Sequence, residues 1–270
     1  MAVKFDANRA WSKAMNMLSS NRQVVLIIAG VFFFLPNFAL SLLAPEIANP
    51  LAETTPAETP DEAMAQLSSL GAGFFAGLVG LALIQAVGVL GLLRLLTDSN
   101  RPTVGEALRG GLAGLLPYVL AQIIQAFIFM FAVGLPFGLL AATGNPAAAT
   151  FGFGLALALG IFLFVRFALL SPVIAIERIH SPFAALGRSW KLTRGKVGSL
   201  ILFFGLLFIA VIIVMTVLTI LLGLVFAAIG GQTQLIGAAF LGSIANAIVV
   251  TLFMAVLAAV HQQLAAQAET

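Results

Sequence analysis

Five of the thirteen Lys and Arg residues of this chain fall between Arg178 and Lys196, in or just before the stretch SPFAALGRSWKLTRGK. Glycines interleaved with cations suggest a phosphate cradle. The spacing rejects it: seven residues separate Gly187 from Gly195 where a nucleotide loop has four, and Val197 stands where Ser or Thr would hold magnesium. The two histidines, His180 and His261, have neither a second His nor a carboxylate at metal-ligand spacing, and both read as exposed interfacial side chains. Serines occur without a G-x-S-x-G elbow or a Ser-x-x-Lys motif. The absence of cysteine removes thiolate nucleophiles, disulfides and zinc-thiolate sites together. The expectation is a protein without catalytic machinery, metal or cofactor.

Polar groups inside apolar runs are the remaining candidates: Asn37, Gln85, Gln122, Gln125, Arg166 and Asn246. An ionisable residue in a membrane helix costs roughly 2.5–3.5 kcal/mol to insert and marks a functional site by default. Arg166 is therefore a candidate ligand for a lipid phosphate or another anion, with snorkelling to the headgroups as its alternative. Glu177 follows about 16 Å further along a continuous helix, too far for a direct pair, and Pro172 between them bends the chain. Gln85, Gln122 and Asn246 fall near mid-span and are expected to converge in the bundle centre, either as binding groups or as interhelical glue. Beside Arg166 and Glu177, the basic stretch adds Arg188, Ser189, Trp190 and Lys191 as candidate ligand-binding residues.

The elements that position these residues must be membrane helices. The chain is 61% hydrophobic and only 9% charged, with a mean hydropathy of +1.12. Soluble domains carry roughly 25% charged residues, and a chain this apolar needs lipid as its solvent. Six runs reach the ~20 residues that cross a hydrocarbon core: about 24–43, 70–93, 112–142, 151–176, 197–229 and 236–260. The fold class is all-α, an integral membrane bundle of six transmembrane helices with short amphipathic cytoplasmic surface helices. The loop 44–68 contains five carboxylates and prolines and no Lys or Arg, while twelve of thirteen basic residues lie in the N-terminal tail, at 94–109 or at 178–196. Cationic loops stay inside, so both termini are expected in the cytoplasm and the location is a bacterial inner membrane. The first apolar run is too long for a signal-peptide core and reads as an uncleaved anchor. A pI near 9.8 with a net charge of +3 reflects membrane orientation, not nucleic-acid binding.

Three segments resemble one another: DANRAWSKAMNMLSSN from Asp6, TVGEALRGGLAGLLPY from Thr103, and SPFAALGRSWKLTRGK from Ser181. Each opens on a helix-capping residue. Four positions on comes Ala with a large apolar residue (Ala10-Trp11, Ala107-Leu108, Ala185-Leu186), and four further a small one (Ala14, Gly111, Ser189). The pattern predicts a threefold repeat of surface helix plus hairpin, with units near 6–93, 103–176 and 181–260 inside one polytopic domain, 1–270. On a helical wheel Phe183, Leu186 and Trp190 share a face apart from Arg188 and Lys191, as Trp11, Ala14, Met15 and Leu18 oppose Arg9 and Lys13. That arrangement predicts helices lying in the headgroup layer, the alternative being plain inner loops.

The run RFALLSPVIAIERIHSPFAALGRSWKLTRGKVGSLIL resembles the membrane domain of the glycerophosphoryl diester phosphodiesterase family and related bacterial six-span families of the YciC type. The matching residues are Pro172, Ile174, Glu177, Ala185, Leu186, Arg188, Ser189, Trp190, Leu192, Thr193 and Gly195. The resemblance implies a membrane fold and lipid association, not hydrolysis, because that family's phosphodiesterase activity resides in a separate metal-binding barrel of which these residues hold no part. The expected function is a non-enzymatic inner-membrane protein that binds or translocates a lipid or amphipathic small molecule, with membrane lipids as partners and no nucleic acid. Its rivals are a scaffold recruiting partners through the surface helices, as a homo-oligomer or with another membrane protein, and, weakest, an intramembrane lipid enzyme.

Overall fold

The computed structural model describes residues 5–44, 62, 65, 71–98 and 103–268. The acidic loop 44–68 lies outside them apart from Ala44, Glu62 and Ala65, as do Lys4 and Arg101. Among the described residues the fold is all-helical. The helices are α1 (Ala7–Ser20), α2 (Arg22–Ile28), α3 (Leu35–Leu43), α4 (Ala72–Thr97), α5 (Val104–Phe129), α6 (Leu135–Ala141), α7 (Pro146–Phe167), α8 (Leu170–Ile176), α9 (Pro182–Leu192), α10 (Val197–Ile229) and α11 (Gly231–Ala268), with π-helical segments at Ala29–Phe34 and Met130–Gly134. End to end they give six lengths long and apolar enough to cross a membrane: Arg22–Leu43, Ala72–Thr97, Val104–Ala141, Pro146–Ile176, Val197–Ile229 and Gly231–Ala268. This is the architecture of a multi-pass membrane protein.

Two boundaries differ from the sequence expectation. The segment at Thr103 is not a separate surface helix but the opening of the third span. Its capping box forms, with the Thr103 hydroxyl accepting from the Glu106 N–H and the Glu106 carboxylate accepting from the Thr103 N–H at 2.8 Å. Nothing between Val104 and Leu116 then stops the helix. The expected outer loop GQTQL is likewise helical: Gly230 and Gly231, at φ 73° and 60°, reverse the chain by themselves, and the sixth span starts at once. The fifth span ends at Ile229.

Proline shapes the first and third spans alike. Pro36 and Pro136 have no N–H to give, and their rings crowd the carbonyls of Phe32 and Ala132 four residues back. In both helices these carbonyls lie in the wide π turns just before Leu35-Pro36 and Leu135-Pro136, where the ladder loosens to admit the ring. Pro172 breaks the fourth span as expected, at Ala168 and Leu169.

The spans close a ring in chain order, each packing on its neighbours and the sixth on the first, while the second and sixth also meet across the bundle. Half of the sixth span's most apolar stretch is buried (50%) against 0% for the third, whose buried residues, Ala107 to Ala121, lie in its first half. The core gathers Leu90, Leu92 and Leu93, Val173 and Ile174, and Ala255 to Val260, at the end of the bundle that bears the basic residues. Close approach there depends on glycine: a Cβ on Gly111 would stand 3.0 Å from the Gly91 nitrogen, and one on Gly88 2.5 Å from the Phe32 Cβ.

Candidate functional site

All three segments singled out in the sequence open on a working cap. Asp6 accepts from the Arg9 N–H, Thr103 from Glu106, and Ser181 from Ala184. The small residues at matching positions, Ala10 and Ala14, Ala107 and Gly111, Ala185 and Ser189, are all buried, so each segment lays a small-x3-small stripe on the bundle. Beyond these stripes the three segments diverge: Asn21 interrupts the first, the second runs on, and a turn ending at Gly195 and Lys196 closes the third. The faces the wheel assigns to the aromatic residues are split, with Leu186 and Ala14 buried and the aromatic side chains turned outward. Phe183 is 73% exposed and Trp11 40%, while on α9 Ala185, Leu186, Ser189 and Leu192 face inward.

At α9 two polar knots tie the basic end together. Arg188 Nε donates to both Glu177 oxygens, at 2.8 and 3.2 Å, and His261 Nε2 meets Glu177 Oε1 at 2.8 Å. A carboxylate partner makes Nε2 the protonated ring nitrogen. Glu177 can reach both because α8 ends on it and Arg178, at φ 56°, turns the chain away. His261 is 2% exposed, which corrects its reading as an interfacial side chain, and its Nδ1 is buried without a hydrogen-bond partner. One helical turn to either side stand the buried Leu257 and Leu264, and that spacing was the available signal. His180 is exposed.

The second knot holds Arg166. Its Nη1 donates to the Trp190 carbonyl at 3.1 Å, and its guanidinium lies over the Trp190 and Phe162 rings, 4.4 and 5.1 Å from their centroids. The Arg166 carbonyl, at the end of α7, accepts from the Ser189 hydroxyl at 2.8 Å, and the Thr193 hydroxyl donates to the Ser189 and Trp190 carbonyls. Arg166 and Glu177 are indeed not paired with each other; both are bound to α9 instead. Lys191 is exposed. Lys196 donates to Gln267 near the end of the sixth span, and partial burial holds its ammonium below the ordinary lysine value. Lys13 is lowered in the same way, by burial first and the charge of Arg9 second.

The three mid-span amides do not converge. Gln122 is exposed and donates to the Tyr118 hydroxyl of its own helix at 3.1 Å. Asn246 donates to the Phe33 carbonyl in the first π segment at 3.3 Å, joining the first and sixth spans. Gln85 stays half-buried on the second span. Helical phase on separate spans, which sequence spacing cannot supply, sends them to different faces.

An opening with room for a ligand lies elsewhere among the described residues, between α1, the first span and the sixth. It is a groove of about 820 Å³, walled by Met15, Leu18, Val25 and Phe34 on one side and Ile244 and Ile248 on the other. Leu26 at 70% exposure and Ile248 at 48% form its outer rim. Among the described residues Arg22 is the one charged residue that lines it, and Thr251 lines it as a buried hydroxyl without a hydrogen-bond partner. Sequence reasoning passed over both, because each looks like an ordinary flank or helix residue. Among the described residues no group of three or more His, Asp or Glu is placed to hold a metal. No family model matches the chain, and no curated protein or solved structure matches it either.

Proposed function

We propose that this is a non-enzymatic membrane protein that binds or translocates a lipid or amphipathic small molecule. The observation that carries this reading is the groove between the first and sixth spans. Its volume, about 820 Å³, falls within the roughly 300–1,000 Å³ of small-molecule sites, and its apolar walls with one cation match an amphiphile in kind. The distribution of basic residues supports a bacterial inner membrane with both termini in the cytoplasm. The likeness of residues 166–202 to the membrane domain of glycerophosphoryl diester phosphodiesterases fits lipid association without hydrolysis.

Native mass spectrometry of the purified protein tests the proposal. Lipid adducts that persist at collision energies stripping bulk detergent are the expected result; a protein that sheds all lipid as readily as detergent would remove it. A scaffold role has one specific observation in its favour, the outward face of α9 formed by Phe183, Trp190 and Lys191. Recovery of a stable protein partner that is lost on Phe183→Ser would favour that reading instead.

A further inference from the structure

We infer that the groove takes one acyl chain of an anionic phospholipid, with Arg22 holding the headgroup phosphate, an assignment that rests on the lipid-binding function proposed above. Three features of the groove point to this occupant. Its charge is one-signed: among the described residues Arg22 is the only ionisable one lining it, so a zwitterionic or cationic headgroup would set its ammonium beside the guanidinium with no carboxylate to take it. A guanidinium forks two hydrogen bonds onto a phosphate, and in an anionic lipid that phosphate has no ammonium of its own to compete for it.

The second feature is Thr251. Hydroxyls on helices often bond to the carbonyl four residues back, and among the described residues five do: Ser41 to Asn37, Thr97 to Leu93, Thr150 to Pro146, Thr193 to Ser189 and Ser243 to Ala239. Thr251 does not. It is 8% exposed, and its hydroxyl has no partner. A buried hydroxyl left unpaired is costly. Threonine has two accessible χ1 rotamers in a helix, so its hydroxyl can turn to the groove and donate to a ligand ester carbonyl.

The third feature is the floor. Gly30 and Ala29 lie in the first π segment, and a Cβ on Gly30 would meet nothing within 4 Å. The wall is held back where a chain of methylenes would run, and Phe34 bounds it beyond.

The test uses the full chain in bilayers containing phosphatidylglycerol or phosphatidylcholine with a photoactivatable acyl chain, the crosslinked peptides being mapped by mass spectrometry. Adducts are expected on residues 22–34 and 244–252, with phosphatidylglycerol favoured about fivefold, the factor one basic residue contributes at an anionic surface. Arg22→Gln abolishes the preference, and Arg22→Lys restores most of it. Thr251→Val lowers labelling by both lipids about threefold, as expected for one hydrogen bond between membrane groups. Gly30→Leu, which has space to fold, blocks labelling of the groove; an unchanged thermal melt of each variant excludes misfolding. Equal labelling by the two headgroups in the unsubstituted protein, or a preference untouched by Arg22→Gln, overturns the anionic assignment and leaves lipid binding standing. Absence of groove adducts from either lipid overturns both, and a complete disulfide between copies of Leu26→Cys would identify a second copy of the chain as the occupant.

Discussion

Glu177 is the acceptor on which two other residues depend, and its removal leaves both in a poor state. Arg188 keeps 31% side-chain exposure and can rehydrate, so the penalty stays below that of a fully buried pair. We expect Glu177→Ala to cost about 1–3 kcal/mol, read as a lower unfolding midpoint in detergent. His261→Leu should cost less, because it removes the unpaired Nδ1 along with one hydrogen bond and leaves Arg188 on the carboxylate. A larger loss for His261→Leu than for Glu177→Ala would show that the imidazole does more than pair with Glu177. Little of this was legible in the sequence. Glu177 and His261 are 84 positions apart, and the Glu177–Arg188 pair spans a turn that a left-handed Arg178 sets. Eleven residues would set Glu177 and Arg188 on one face of a continuous helix but about three turns apart, so helical spacing argues against a contact that only the turn at Arg178 makes.

Helices were the legible level. Hydropathy placed the six spans because lipid demands ~20 apolar residues whatever they pack against, and caps at Asp6, Thr103 and Ser181 arise from local chemistry alone. Which face of α9 turns inward was not legible. A hydrophobic wheel ranks Phe183 above Ser189, yet lipid accepts Phe183 while the Arg166 carbonyl takes the hydrogen bond that Ser189 donates. Ser189→Ala should therefore cost about 1 kcal/mol and loosen α9 from the fourth span, seen as faster hydrogen exchange over 182–192. Glycine contacts separate along the same lines. Gly88→Ala drives a methyl into the Phe32 Cβ on a neighbouring helix and should destabilise by about 1–3 kcal/mol. Gly110→Ala meets Arg94 from Nη1 back to Cδ, side-chain atoms and not a neighbouring helix's Cβ, so it should destabilise less than Gly88→Ala.

At the scale of the molecule, the described ion pairs and the Arg166 contacts gather at one end of the ring, and apolar walls make up most of the rest. That asymmetry makes orientation testable, since the chain has no cysteine to remove before labelling. The proposed orientation, with both termini inside, predicts that a membrane-impermeant maleimide applied to intact cells labels Thr143→Cys and spares Asn8→Cys, both exposed positions. The reverse pattern would invert the topology. The wide turn at Ala29–Phe34 also acts as a phase shifter. A one-residue insertion advances every later side chain by about 100° about the helix axis, and that offset sets Phe34 and Phe38 against Phe240, at 5.4 and 5.8 Å. Deleting Val31 would shorten the first span by a single residue, leave its hydropathy almost unchanged, and rotate its outer half off the sixth. A sequence comparison would score that deletion as trivial; in the bundle it is a change of gear.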